Sequence, residues 1–242
     1  MITFKVFLRA FFMSVLASVL LSACGSRPED RESHAKAALE QKYNTEFEIA
    51  QVYSQKIGDL YYEVQAFPIT NPDMRFTAAI DTKDDNISDN FVERKVCTAI
   101  AKSVERSMDG LSGSYYAFAC GAGPQPLTDD ADISIDEYVA LDTLNTFKIE
   151  VFVAPEAKSA QAIYHNLCEA LSGMESVTAD LSFYVVDEEQ MKSVKEYFAR
   201  NDDMYFEYKR MTADYPRADV SFVNGKIETS ESVFVAQIAD AM

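Results

Sequence analysis

The sequence predicts an α+β protein built as two tandem units, each a largely antiparallel sheet with helices packed on one face. Three observations predict it. Apolar and polar residues alternate over short runs bounded by turn residues, the period of a half-buried strand. Between those runs apolar residues recur at three- and four-residue intervals, the period of an amphipathic helix. At mid-chain, residues 121–133 concentrate Gly, Pro and Asp and read as a connection between two halves. Composition agrees: of 242 residues 48% are hydrophobic and 25% charged, with only 8 Gly and 7 Pro, which excludes fibrous and disordered classes.

In the first unit, 34–121, Ala35, Ala38, Leu39 and Tyr43 predict a short helix with Ser33 as N-cap and Asn44 as stop. Strands are predicted over 46–54, 60–69 and 74–81, with Ile57-Gly58-Asp59 and Asn71-Pro72-Asp73 as turns. A helix over 89–108 follows, with Val92, Val96, Cys97, Ile100 and Val104 on one face, and then a strand over 114–121 carrying Tyr116, Phe118 and Cys120 on one face. After a linker, 122–133, the second unit spans 134–242. It opens with a capping box, Ser134 with Glu137, for a short helix. A strand over 146–154 and a helix over 157–172 striped by Ile163, Leu167 and Leu171 lead to the clearest strand, where Val177, Ala179, Leu181, Phe183 and Val185 alternate with Thr178, Asp180, Ser182 and Tyr184. A charged helix over 187–201, a short strand over 204–210, a hairpin turning at Asn224-Gly225 and a last helix from about Ser232 complete the chain.

Ahead of both units, Lys5 and Arg9 precede an apolar stretch from Ala10 to Leu21, too short for a bilayer span of about 20 residues but suited to a secretory signal, 1–23. Leu21-Ser22-Ala23-Cys24 resembles the lipobox of bacterial lipoproteins. That resemblance implies a diacylglycerol thioether on Cys24, cleavage before it, and a lipidated N-terminus with a short linker over 24–33. The protein would then be held on the outer face of the bacterial membrane through its lipid, close to the surface. Losing Lys5 and Arg9 takes the basic residues from 22 to 20 against 39 acids, a formal charge of −19. Such a surface repels phosphate backbones, so nucleic acid is excluded as a partner.

Several segments together resemble an uncharacterised family of exported lipoproteins from gut Firmicutes: Lys42-Tyr43 with Glu46-Phe47, Ser88-Asp89-Asn90-Phe91 at a helix entry, and Glu137-Tyr138 before an alternating strand. The resemblance implies an exported α+β domain and supplies no site residue.

Candidate chemistry is sparse. Cys97 and Cys120 would meet if the helix packs on the strand that follows it, which points to a disulfide; small buried thiols are the alternative. Asp81, Asp84, Asp85 and Asp89, with Asn86 and Asn90, form an acidic loop that could hold Ca²⁺ weakly. Its spacing departs from the EF-hand, since Asn86 stands sixth and Val92 twelfth, and turn and cap chemistry accounts for the same residues; no other cofactor is implied. Asp129, Asp130, Asp132 and Asp136 read as solvated linker, and Tyr61, Tyr62, Tyr115 and Tyr116 as half-buried sheet aromatics. His34 and His165 are the sole histidines, Cys168 lies one turn from His165, and no Gly-x-Ser-x-Gly elbow or phosphate loop occurs. The polar face at Thr178, Asp180 and Ser182 suggests carboxylates facing water. The sequence therefore favours a non-catalytic binding or interaction module for a protein or small ligand, with an envelope hydrolase assembled from distant carboxylates as the alternative.

Overall fold

The computed structural model describes residues 28–53, 60–84, 86–109, 113–123, 125–142, 146–155, 159–202 and 206–239. The signal segment, Cys24 and Asp85 lie outside the described residues. Helix α1 (Pro28–Tyr43) presents Ala35, Leu39 and Tyr43 to the core. It ends at Asn44, whose φ of 50° is left-handed and whose amide returns to the Glu40 carbonyl at 2.9 Å. Ser33 lies inside this helix rather than at its cap.

A four-stranded antiparallel meander follows, β1 (Phe47–Val52), β2 (Tyr61–Pro68), β3 (Phe76–Asp81) and β4 (Ile87–Asp89), in sequence order. Alternation puts Phe47, Tyr62, Val64, Phe76, Ala78 and Ile80 on its inner face. Strand β4 occupies residues read from the sequence as helix entry. It is held because Ile87, Ser88 and Asp89 pair with Ile80, Ala79 and Ala78. Helix α2 (Phe91–Ser107) then lays Val92, Val96, Cys97, Ile100 and Val104 into the core.

The next strand, β5 (Tyr115–Gly121), does not complete the first sheet. It pairs along its whole length with β6 (Phe147–Val153) and forms the edge of a five-stranded mixed sheet, ordered β5-β6-β7-β8-β9. Between them lies α3 (Ile135–Ala140), whose capping box of Ser134 and Glu137 is formed. Strand β6 runs parallel to β7 (Ala179–Val185) through the crossover helix α4 (Ala160–Ser172). Strands β8 (Arg217–Val223) and β9 (Lys226–Ile227) make the expected hairpin, with φ of 48° at Asn224 and 78° at Gly225.

Helices α4 and α7 (Glu231–Ile238) cover the inner face of this sheet, and their Ile163, Leu167, Phe234 and Ile238 join the same core as the first sheet and α2. The outer face carries helices too, which the one-sided expectation did not include. Helix α5 (Glu188–Phe198) and helix α6 (Phe206–Met211) bury Met191, Val194, Phe198 and Tyr208 against Phe118, Phe152 and Tyr184 in a second cluster. Residues 206–211 are thus helical where a strand over 204–210 was expected. Burial recurs at Tyr208 and Thr212, four apart, so the aromatic content that suggested a strand is overridden by packing onto the sheet. The end of α5 also reaches the first sheet: Gln65 Nε2 donates to the Arg200 carbonyl at 2.9 Å, Arg75 Nε to the Ala199 carbonyl at 3.0 Å, and Thr77 Oγ1 to Asp202 Oδ2 at 2.9 Å. Among the described residues no helix is long and apolar enough to cross a membrane.

Candidate functional site

Side chains two apart on a strand share a face, so the outer face of the second sheet can be read as rows across its strands. Pairing sets Tyr116, Phe152, Tyr184 and Arg217 in one row, Phe118, Glu150, Ser182 and Asp219 in the next, and Cys120, Lys148, Asp180 and Ser221 in the third. Helix α5 roofs the aromatic end: Phe198 stacks on Phe118 with ring centroids 3.7 Å apart, and Phe152 stacks on Tyr184 at 5.0 Å. Where that cover ends, against α6, a pocket of about 320 Å³ opens over the two polar rows.

Its floor is Glu150, Tyr184, Tyr208 and Thr212, all buried, with Glu150 only 7% exposed. Its rim is Lys148, Asp180, Lys209 and Arg217. The rim has internal order, because Asp219 accepts from Ser182 Oγ and from Arg217 Nη2, each at 2.9 Å. The floor is looser: the Tyr184 and Tyr208 hydroxyls lie close enough to Glu150 to favour its carboxylate, but Glu150 Oε2 and Tyr208 Oη are buried without a hydrogen bond of good geometry among the described residues. A buried acceptor left in that state costs about 1–3 kcal/mol. Burial pushes the Glu150 carboxyl up to about 7, against the opposing pull of the Tyr184 and Tyr208 hydroxyls and of Arg217. The Tyr208 hydroxyl is likewise raised by burial and by the Glu150 charge. The expectation that strand carboxylates face water holds for exposed Asp180 and fails one strand away, at Glu150.

The residues singled out from the sequence lie elsewhere. Asp89 is spent within the fold: its side chain is 1% exposed and accepts from Lys42 Nζ at 2.9 Å, Tyr43 Oη at 2.8 Å and the Phe91 amide at 2.9 Å. Asp81 and Asp84 accept from the amides of Lys83 and Asn86 in tight turns. No group of three His, Cys, Asp or Glu side chains able to hold a metal occurs among the described residues. Asp129 is exposed, as expected of a solvated linker, and from there also bridges to Lys42 at 2.6 Å, tying the linker to α1.

Cys97 and Cys120 are buried thiols in the structure, with no disulfide between them. The two are near enough for Cys120 to act on the Cys97 thiol; Cys97 packs in the main core and Cys120 with Phe118 in the outer-face cluster. His34 Nδ1 meets Tyr62 Oη at 2.7 Å on the first sheet. His165 is largely exposed on α4, 4.0 Å from Glu231, and Cys168 packs by Tyr164, so neither histidine approaches the pocket.

A second cavity, of about 600 Å³, lies between α2, β5 and the end of α5. Its buried cation, Arg94, is already bonded to the carbonyls of Ala119 at 2.6 Å and Arg75 at 3.3 Å. No buried side-chain atom lining that cavity lacks a partner among the described residues, whereas Glu150 Oε2 in the other pocket does.

The fold is similar to that in the crystal structure of a DUF5037 family protein from Ruminococcus gnavus, a gut Firmicute. The TM-score is 0.67 at 15% identity, over 85% of this chain and 98% of that chain. A scan against protein-family models and a search of curated proteins found no match.

Proposed function

We propose that the protein is a cell-envelope lipoprotein, anchored to the outer face of the membrane through lipid on Cys24, and that its domain is a non-catalytic binding module whose ligand site is the Glu150 pocket. The anchor reading is supported by the charged start, the apolar stretch and the Leu-Ser-Ala-Cys box together. Stable attachment of this kind takes at least two acyl chains. The binding reading is carried by one observation: a pocket floored by a buried carboxyl whose Oε2 has no hydrogen bond of good geometry among the described residues. Such an atom is stabilised when a ligand supplies the missing contact.

The same carboxyl favours a second reading, hydrolysis, because an acid raised to about 7 suits proton donation near neutrality. Binding is preferred for a geometric reason. Paired carboxylates of a glycosidase flank the scissile bond, whereas Glu150 and Asp180 rise from neighbouring strands on one face of one sheet and would approach a ligand from the same side. No histidine, the commonest alternative, lines the pocket.

Cells fed a clickable fatty acid should label the wild-type chain and not Cys24→Ala, and the purified chain should turn over no peptide, ester or glycoside. Label persisting on Cys24→Ala would refute the anchor. Turnover that disappears in Glu150→Gln would replace the binding module by the hydrolase.

A further inference from the structure

The charges around the pocket constrain what it can hold. Glu150 on β6 is faced by Lys148 on its own strand, by Asp180 and Tyr184 on β7, by Arg217 and Asp219 on β8, and by Tyr208 and Lys209 on α6. On the side of β5 and α5 its neighbours are the apolar rings of Phe118 and Phe198. Asp219 is engaged by Ser182 and Arg217, and no acid lies within ion-pair distance of Lys148 or Lys209 among the described residues.

The acid therefore sits deep and the cations sit at the mouth, in a chain whose net charge is −17. A purely cationic ligand would meet Lys148 and Lys209, which no acid pairs among the described residues, as well as Asp180, before reaching Glu150. A purely anionic ligand would satisfy the rim and leave Glu150 facing a negative group. A neutral polyol could donate hydroxyls to Glu150 but would leave the rim cations unmatched. A ligand carrying both charges, positive end inward, matches both layers. The volume, about 320 Å³, suits a molecule of a few to a dozen heavy atoms.

We propose that the Glu150 pocket binds a small amino-acid-type zwitterion, its ammonium seated at Glu150 and its carboxylate facing Lys148 and Lys209. The inference rests on the pocket being the ligand site of a binding module. It carries a proton signature. An ammonium beside Glu150 favours the ionised carboxylate, so the fraction of Glu150 protonated before binding loses its proton on binding. With the empty-pocket carboxyl near 7, affinity rises about tenfold between about pH 6 and pH 8 and levels above that.

The test is calorimetric titration of the detergent-solubilised full chain with each of the free amino acids, in buffers of different ionisation enthalpy. Methylamine, acetate and glucose serve as single-charge and neutral probes. The expected result is that an amino acid binds at least about tenfold more tightly than any of the three probes, with proton release near neutrality. Glu150→Gln should lose the proton release and at least about tenfold in affinity, and Lys148→Ala, at the rim, should also weaken binding while circular dichroism is unchanged. No binding of any amino acid, or binding indifferent to both substitutions, overturns the proposal. Glucose binding that depends on Glu150 overturns the ligand class and leaves the binding module standing. Glu150-dependent turnover of a substrate overturns the module itself.

Discussion

Glu150 destabilises the strand that carries it. Its carboxyl, near 7 in the fold against 4.5 for an unburied glutamate, holds protons more tightly folded than unfolded. Stability from this group is therefore full below the unfolded value of 4.5, is lost as pH rises toward 7, and is level above. Glu150→Gln keeps the shape and removes the charge. Urea unfolding should show the variant gaining on the wild type by about 2 kcal/mol between about pH 5 and pH 8; a gap that does not change with pH would mean that the carboxyl is not raised. Part of this was visible in the sequence, where Ile149-Glu150-Val151-Phe152-Val153 sets a single acid in an apolar run. The pocket was not. It depends on α6 lying across the sheet, and 204–210 reads as strand when its packing is unknown.

Among the elements, α1, β4 and α2 meet at one carboxylate. Asp89 on β4 takes Lys42 and Tyr43 from the end of α1 and the first amide of α2, so three elements share a buried anion. Asp89→Ala leaves Lys42 with exposed Asp129 and the Ile87 carbonyl and should cost about 3 kcal/mol in chemical denaturation. A cost below about 0.5 kcal/mol, the range of an ordinary surface substitution, would return Asp89 to the role of a solvated turn residue. Elements with local signals were legible: the capping box of α3, the Asn224-Gly225 hairpin and the stripes of α2 and α4 each state their structure within a dozen residues. Elements decided by distant partners were not. Strand β4 exists by pairing with β3, and β5 joins the second sheet because β6, across the linker, offers it a full register.

At the scale of the whole molecule, one core runs from Ala35 on α1 to Ile238 on α7, through both sheets. Two units legible as separate halves of the sequence share that core, and α2 lies against both β3 and β5. Unfolding followed by far-ultraviolet circular dichroism and by tyrosine fluorescence, available from 13 Tyr without Trp, should trace a single coincident transition; two separated transitions would mean that each sheet folds on its own. The sheets are joined a second time on the outside, where Gln65, Arg75 and Thr77 grip the turn that ends α5, a few residues before α6 begins. That grip fixes where α5 can lie: Phe198, which closes the aromatic end of the outer face against Phe118, sits one residue before the carbonyl held by Arg75 of the first sheet, so the wall beside Glu150 is positioned by residues of both sheets.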